Sequence, residues 1–163
     1  MEQLQRYLNH SKIDVVFKQN KDDFVVTEIP LYEFSGEGEH LVLKIRKKDL
    51  ATWDAIEILA KFLNCSSRDF GYAGLKDKNA MTVQSISVHR KYEEKLKSFQ
   101  HENLKILETT YHNNKIKVGH LKGNKFFIRL KRVGAIEKRK IEEALGSIVT
   151  FGIPNYFGFQ RFG

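Results

Sequence analysis

The chain has 163 residues, 41% of them hydrophobic, so it is long enough for one hydrophobic core, and one domain is the default prediction. Its 28 lysines and arginines against 20 acidic residues give a net charge of +8, which favours nucleic acid as a partner, although solvated surface lysines give the same composition. No segment is apolar enough to span a membrane, no signal peptide is recognisable, and the single cysteine, Cys65, excludes an internal disulfide, so we expect a cytoplasmic protein.

The first third of the chain predicts strands followed by a helix. Residues 13–19 and 24–29 are rich in Val and Ile and are separated by a polar turn, which is typical of two short strands. Residues 41–46 alternate apolar and basic side chains, as a half-buried strand does. Thr52 is a suitable N-cap, and the apolar residues that follow recur at helical spacing, which predicts a helix over residues 53–63.

The rest of the chain predicts a second group of strands and a closing helix. The adjacent Asn113 and Asn114 suit a tight hairpin turn. A helix is predicted over residues 136–149 and a shorter one over residues 91–99. Strands interspersed with helices indicate an α+β fold with an antiparallel-dominated sheet and flanking helices. The strands predicted in this part are residues 82–88, 104–111, 115–118 and 125–132.

The segment FGYAGLKDKNA, residues 70–80, is the first candidate for chemistry. Gly71 and Gly74 permit a backbone that approaches a ligand closely or adopts unusual dihedral angles. Asp77 lies between Lys76 and Lys78, whose charges attract a phosphate backbone. A carboxylate in a basic loop suits nucleophilic attack on an RNA substrate. The alternative is an aspartate in a polar turn with two solvated lysines.

The segment HLKGNKFFIRL, residues 120–130, is the second candidate. Asn124 and Phe126 are two positions apart, so on a strand they point to the same face. An amide beside an aromatic ring can hydrogen-bond the edge of a flipped-out base and stack on its face. The alternative is an asparagine in a turn and a phenylalanine in the core. Phe24, which opens a predicted strand, would be assigned to the core on residue type alone.

The C-terminal segment, residues 154–163, is dense in aromatic residues. Arg161 stands among them, which fits contact with RNA and equally fits a buried turn. The six histidines are scattered without the spacing of metal ligands. No HExxH, CxxC, GxSxG or phosphate-binding loop motif occurs, so the sequence predicts neither a metal site nor a nucleotide cofactor.

Together these segments resemble the tRNA pseudouridine synthase D family. The resemblance spans nearly the whole chain in the family's order, through residues 23–48, 71–88, 120–130 and 154–163. Its most specific parts are GLKDK, residues 74–78, and NYFGFQRFG, which ends the sequence.

The resemblance implies a fold, an activity and a set of site residues. The fold is the pseudouridine synthase sheet with flanking helices, and the activity isomerises a uridine at position 13 of tRNA without cofactor or metal. Asp77 aligns with the aspartate that starts the reaction. Phe24, Asn124 and Phe126 align with positions that hold the target uridine. We expect Lys76, Lys78 and Arg161 to contact the RNA.

Two departures from the family pattern qualify this expectation. Lys78 stands where arginine is frequent, which preserves charge but loses the bidentate guanidinium fork. Family members also continue past the QRFG segment through an inserted domain and back into the catalytic sheet. The sequence is either a fragment or an unusually short member, and we favour the fragment: an incomplete sheet forming the N-terminal portion of the catalytic domain. Its partners would then be tRNA and the C-terminal part of the same protein.

A fragment would leave the aromatic residues of 154–163 poorly buried or packed against another chain. It also leaves open a second function, a non-catalytic RNA-binding module or an inactive fragment of the enzyme. Such a module would keep the basic surface and lose the complete uridine pocket.

Overall fold

The computed structural model describes residue 8 and residues 11–154. The chain divides into two compact units. The larger unit is Lys18–Arg129, and the smaller combines the residues before Lys18 with those after Arg129. The larger unit contains the predicted nucleophile and all three predicted uridine-binding residues. No helix among the described residues combines the length and apolar character needed to cross a bilayer.

The strands and helices follow one another along the whole described chain. The strands are β1 (Val16–Phe17), β2 (Phe24–Pro30), β3 (His40–Lys47), β4 (Gly71–Tyr72), β5 (Met81–His89), β6 (Leu104–His112), β7 (Leu121–Ile128) and β8 (Leu130–Lys131). The helices are α1 (Thr52–Leu63), α2 (Glu93–Leu96) and α3 (Ala135–Phe151). Single 3₁₀ turns lie at Lys21–Asp23, Ser67–Asp69 and Arg90–Tyr92.

Strands β2 to β7 form one sheet in the larger unit. Five of them lie in the order β6-β3-β5-β2-β7, and β4 pairs with β5 beside that path. The pairing of β2 with β5 is parallel, and the other pairs described in this sheet are antiparallel. The predicted α+β fold with an antiparallel-dominated sheet is therefore confirmed.

The strand register decides which side chains share a face of this sheet. Lys47 of β3 lies opposite Thr82 of β5, Thr82 opposite Val26 of β2, and Val26 opposite Phe126 of β7. Residues in register point to the same side, so these four side chains lie on one face. Phe24 lies two positions before Val26 on the same strand and therefore belongs to this face as well.

Helix α1 covers the part of this face that β3 and β5 form. Its apolar stripe packs against alternating residues of the two strands, and burying each large aliphatic side chain contributes about 1.5–3 kcal/mol. The cluster comprises Ala55, Ile56, Leu59, Ala60 and Leu63 of α1, Leu41, Leu43 and Ile45 of β3, Ile86 and Val88 of β5, and Phe70, Leu96 and Leu104. On β7, by contrast, Phe126 remains 57% exposed. This face of the sheet is therefore buried at β3 and β5 and exposed at β7.

The smaller unit consists of a short strand pair and a long helix. β1 and β8 pair in antiparallel fashion, with Val16 opposite Lys131. Helix α3 has 17 residues, and the Lys140 ammonium group donates a hydrogen bond to the carbonyl of Lys12.

The prediction of a strand over residues 115–118, entered by a tight hairpin turn, is wrong. The segment runs as a loop, in which Ile116 is buried and its N–H donates to the hydroxyl of Ser87 at 2.9 Å. A side-chain oxygen thus replaces the backbone acceptor that a strand neighbour would supply. The strand predicted over residues 125–132 begins earlier, at Leu121, because residues from Leu121 onward pair with β2.

The first predicted strand and the helix boundary also differ in detail. Only Val16–Phe17 of residues 13–19 forms a strand, because only that pair finds a partner in β8. Thr52 is the first residue of α1, and Ala51 takes the N-cap position. The carboxylate of Asp54 accepts a hydrogen bond from the Ala51 N–H at 2.7 Å, which satisfies a donor at the start of the helix.

Candidate active site

Asp77 lies in the loop between β4 and β5, in the larger unit. Its side chain is 48% exposed, so a substrate can reach the carboxylate. One carboxylate oxygen accepts a hydrogen bond from the backbone N–H of Asn79 at 2.8 Å. The amide oxygen of Asn79 in turn accepts from the ammonium group of Lys21 at 3.1 Å. The carboxylate is thereby oriented and accessible.

Lys18 connects this carboxylate to the first aromatic residue of the site. Its ammonium nitrogen lies 3.8 Å from the second carboxylate oxygen of Asp77. The same nitrogen lies 4.0 Å from the centre of the Phe24 ring, at the distance of a cation–π contact. Lys18 adopts a left-handed backbone conformation, with φ of 54°. Asp77 and Phe24 therefore both lie within contact of one ammonium group.

Phe24 and Phe126 form an aromatic pair on the open side of the sheet. Their ring centroids are 6.0 Å apart and the ring planes are inclined by 23°, a stacked arrangement. Asn124 lies two positions before Phe126 on β7, opposite Glu28 of β2, and its side chain is exposed. The predicted shared face of Asn124 and Phe126 agrees with the continuous register of β7. An amide and two aromatic rings thus lie on the same sheet face.

A buried ion pair joins the loop that carries Asp77 to strand β2. The Lys76 ammonium nitrogen lies 2.6 Å from one carboxylate oxygen of Glu28, and the two side chains are only 4% and 2% exposed. The second Glu28 oxygen accepts a hydrogen bond from the backbone N–H of Ser85 at 3.1 Å. The residue next to Asp77 is therefore fixed to the middle of the sheet.

The N-terminus of α1 contributes a second buried support. The hydroxyl of Thr52 accepts a hydrogen bond from the backbone N–H of Lys76 and donates one to the amide oxygen of Gln84, both at 2.9 Å. The amide nitrogen of Gln84 lies 3.4 Å from the carbonyl oxygen of Gly74, to which it donates. Because Thr52 uses both its donor and its acceptor capacity here, it joins helix, sheet and loop.

The third support is Lys47, whose side chain is fully buried. Its ammonium group donates hydrogen bonds to the backbone carbonyls of Leu50 at 2.6 Å, Lys76 at 3.3 Å and Asp77 at 3.2 Å. Burial lowers the pKa of Lys47 to about 8, and the neighbouring Asp77 carboxylate only partly opposes this effect. A buried cation thus binds the backbone of the candidate nucleophile itself.

The predicted RNA contacts fall in different places. Lys78 is exposed beside Asp77, where a phosphate group could reach it. The expected RNA contact of Lys76 finds no support, because its ammonium group is buried against Glu28. Arg161 and the aromatic residues of the C-terminal segment lie outside the described residues.

The two glycines flagged in the loop segment have different roles. A side chain at Gly71 would collide with the carbonyl oxygen of Ile116, so Gly71 allows two backbone segments to approach each other. At Gly74 a Cβ would meet its nearest neighbour, the Lys76 ammonium nitrogen, at an ordinary 3.6 Å. The close approach at Gly71 is therefore between two segments of this protein's own backbone, and it does not indicate a ligand-binding role.

The metal-ligand types of side chain and the single cysteine are two further candidates for chemistry within residues 11–154. No group of three or more His, Cys, Asp or Glu side chains described there is arranged to hold a metal ion. Burial raises the pKa of the Cys65 thiol, which disfavours the nucleophilic thiolate.

Lys18, Glu28 and Lys47 carry much of this geometry, and the sequence did not indicate any of them. Each is a charged residue in or beside a strand, and nothing in the local pattern distinguishes it from a solvated surface residue. Their roles depend on contacts with a loop 29 to 59 positions away in the chain.

Comparison with known proteins identifies relatives along nearly the whole chain. The model of the family described as tRNA pseudouridine synthase D (TruD) matches residues 3–163. The tRNA pseudouridine synthase D of Sulfurimonas denitrificans is 60% identical over 156 residues, which cover 96% of this chain and 44% of that protein. The corresponding Campylobacter jejuni protein (strain RM1221) is 55% identical, with coverage of 96% and 42%.

A solved structure agrees with these sequence matches. The crystal structure of a Methanosarcina mazei protein assigned as a tRNA pseudouridine synthase D superimposes with a TM-score of 0.83 at 27% sequence identity. The superposition covers 95% of this chain and 36% of that one. The chain therefore spans less than half the length of the relatives it matches. The resemblance predicted from the GLKDK and NYFGFQRFG segments is confirmed: the chain belongs to the tRNA pseudouridine synthase D family.

Proposed function

We propose that the protein isomerises a uridine in tRNA to pseudouridine, with Asp77 as the nucleophile. The observation that carries the proposal is the arrangement around Lys18, whose ammonium group contacts both the exposed Asp77 carboxylate and the Phe24 ring. Family membership supports the reaction class, and position 13 of tRNA is the site that the resemblance implies.

In this proposal the open side of the sheet holds the target base. A flipped-out uracil stacks on the pair formed by Phe24 and Phe126, and the side chain of Asn124 hydrogen-bonds its edge. Stacking contributes about 1–3 kcal/mol per base, and a neutral hydrogen bond about 0.5–1.5 kcal/mol. Lys18 lies between the ring and the carboxylate, and its charge holds the carboxylate towards the base.

The reaction then exchanges one bond of the uracil for another. The bond between N1 and the ribose C1′ breaks, the base rotates, and a bond between C5 and C1′ forms. The C5 proton leaves to solvent and N1 takes up a proton, so the product is an isomer of the substrate. Asp77 starts the reaction by attacking the ribose, by attacking the base or by assisting formation of a glycal, and all three routes release the C5 proton. The scheme requires no cofactor or metal.

The substitution Asp77→Asn tests the role of the nucleophile in the intact protein. The amide is nearly isosteric but a poor nucleophile, so tritium release from tRNA labelled at uridine C5 should fall to background while tRNA affinity stays near normal. Glu108→Gln is the matched control, because it also removes one exposed carboxylate, on a strand at the far edge of the sheet from β7. Near-normal release by the asparagine variant would disprove the assignment.

The second candidate function, a non-catalytic RNA-binding module or an inactive fragment, makes the opposite prediction for the unmodified sequence. It would bind tRNA in a salt-dependent manner and release no tritium. A cytoplasmic location remains an expectation from the sequence.

A further inference from the structure

Lys47 is fully buried at the end of β3, beneath the loop that carries Asp77. Its three hydrogen bonds go to backbone carbonyls in two segments that are separate in the sequence. Leu50 lies just before α1, while Lys76 and Asp77 lie just before β5. An ammonium group has three N–H donors, and here each has one carbonyl acceptor. The ammonium group therefore ties the backbone of Asp77 to the start of the helix.

This placement is costly for the fold. Removing an ammonium group from water disfavours its charged form, and the hydrogen bonds to neutral carbonyls compensate only in part. An apolar side chain at the same position would fill the space without burying a charge, but it would leave the three carbonyls without this donor. Lys47 lies in a row with Thr82 of β5 and close to the apolar cluster under α1, where methionine could pack. A buried cation at this position is therefore weak evidence of a purely structural role.

We propose that Lys47 is a positioning residue for the reaction, holding the backbone of Asp77 so that its carboxylate stays aimed at the base. The inference rests on the proposed function of Asp77. Lys47 touches the carbonyl of the candidate nucleophile rather than the substrate, so it acts on the nucleophile's position. All three donors are needed, which makes the protonated form the competent one.

The substitution Lys47→Met tests this role in the intact protein. It keeps an unbranched side chain of similar length and removes the donors. We expect kcat to fall by about 100-fold, the effect of displacing a reacting group by roughly 1 Å. KM should change little, because most tRNA affinity comes from phosphate contacts. The matched control is Lys44→Met, on the same strand but only half-buried and paired with Glu108, and this variant should keep its activity.

The pH profile separates positioning from a merely structural role. A neutral amine has only two N–H donors, so activity should decline as the pH rises through about 8, the pKa of Lys47. Burial and the charge of Lys76 lower this pKa, and the carboxylates of Asp77 and Asp54 oppose the decrease. Stability should not decline with activity. Because the folded-state pKa lies below the value of about 10.4 expected in the unfolded chain, this group alone makes folding more favourable as pH rises between the two values. Loss of activity above pH 8 without loss of stability is the expected result.

The variant Lys47→Arg tests whether Lys47 causes the decline of activity at alkaline pH. The guanidinium group of Lys47→Arg stays protonated throughout this range, so the decline should disappear in that variant while the Lys44→Met control retains it. Lys47→Met activity equal to that of Lys44→Met would overturn the inference. If Lys47→Met does not fold, an alkaline decline that Lys47→Arg leaves unchanged would overturn it. Inactivity of the unmodified protein would contradict the proposed function instead.

Discussion

Phe126 and Phe127 are neighbours in the sequence with similar exposure, 57% and 50%, but they lie on opposite faces of β7. Phe126 stacks on Phe24, whereas the guanidinium group of Arg129 lies 5.6 Å from the centre of the Phe127 ring. We expect Phe126→Ala to remove about 1–3 kcal/mol of base stacking and to lower turnover more than tRNA binding. Phe127→Ala is the control for loss of an exposed ring.

The measurement compares single-turnover tritium release with tRNA affinity for both variants. Equal loss of turnover in the two variants would contradict the proposed base-stacking face. Unfolding of Phe126→Ala alone would show instead that this ring belongs to the core.

Lys76 and Lys78 flank Asp77 and differ in burial, because Lys76 is buried against Glu28 and Lys78 is exposed. Lys76→Ala would leave the Glu28 carboxylate buried without its cation, which destabilises by about 3–5 kcal/mol. We expect a large decrease in the free energy of unfolding for Lys76→Ala in denaturant titrations. The double substitution Lys76→Met with Glu28→Met should recover much of it, because neither partner of the pair is then left as an uncompensated buried charge. A stable Lys76→Ala variant would contradict the buried ion pair.

The residue roles show what the sequence can and cannot supply. GLKDK drew attention to Asp77 as a carboxylate between two cations, but the same pattern suggested that both lysines serve RNA. Only the partner of each lysine distinguishes them, and Glu28 lies 48 positions before Lys76. A charged residue is assigned to the surface unless its partner is known. Lys18 and Lys47 were not detected for the same reason.

At the scale of strands and helices, local patterns predicted most elements well. β2, β3, β5, β6, α1 and α3 lie within two residues of their predicted bounds because each has its own alternation or helical spacing. Residues 115–118 have a strand-like pattern as well, yet the hydroxyl of Ser87 satisfies the N–H of Ile116 and no strand forms. Strand pairing joins segments that are far apart in the sequence. The parallel pairing of β2 with β5 could therefore not be predicted from the sequence of either strand.

Strand register also produces a row of three histidines. His40 of β3 lies opposite His89 of β5 on one side and His112 of β6 on the other. Burial, and then the charge of His89, lower the pKa of His40, with Glu39 opposing and Lys115 and His112 adding to the decrease. Protonating His40 therefore meets both desolvation and like charge.

This row predicts acid sensitivity of the fold. In the unfolded chain His40 takes up a proton as the pH falls through about 6.5, and the folded state resists it, so the free energy of unfolding decreases below that pH. We expect His40→Gln to reduce this decrease when denaturant titrations at pH about 7.5 and about 5.5 are compared. His101→Gln, which lies outside the row, should behave as the unmodified protein does. Identical pH dependence of all three would refute the idea.

At the scale of the whole molecule, the net charge of +8 predicts how the protein meets tRNA. Each phosphate neutralised on a duplex region contributes about −0.9 to the slope of log affinity against log salt, so affinity should fall steeply with added salt. Among the described lysines next to Asp77, Lys78 is the exposed one, and Lys78→Ala should reduce the slope by about one if it neutralises a phosphate.

Comparing Lys78→Ala with Lys44→Ala tests whether Lys78 itself contacts a phosphate. Lys44→Ala removes an equal charge from the opposite face of the sheet, because Lys44 lies three positions before Lys47 on β3. It should lower affinity weakly and leave the slope nearly unchanged. Titrations of tRNA at several salt concentrations measure both slopes. Equal slopes for Lys78→Ala and Lys44→Ala would mean that net charge alone attracts the RNA. A smaller slope for Lys78→Ala would place a phosphate beside Asp77, where the proposed reaction requires the target nucleotide.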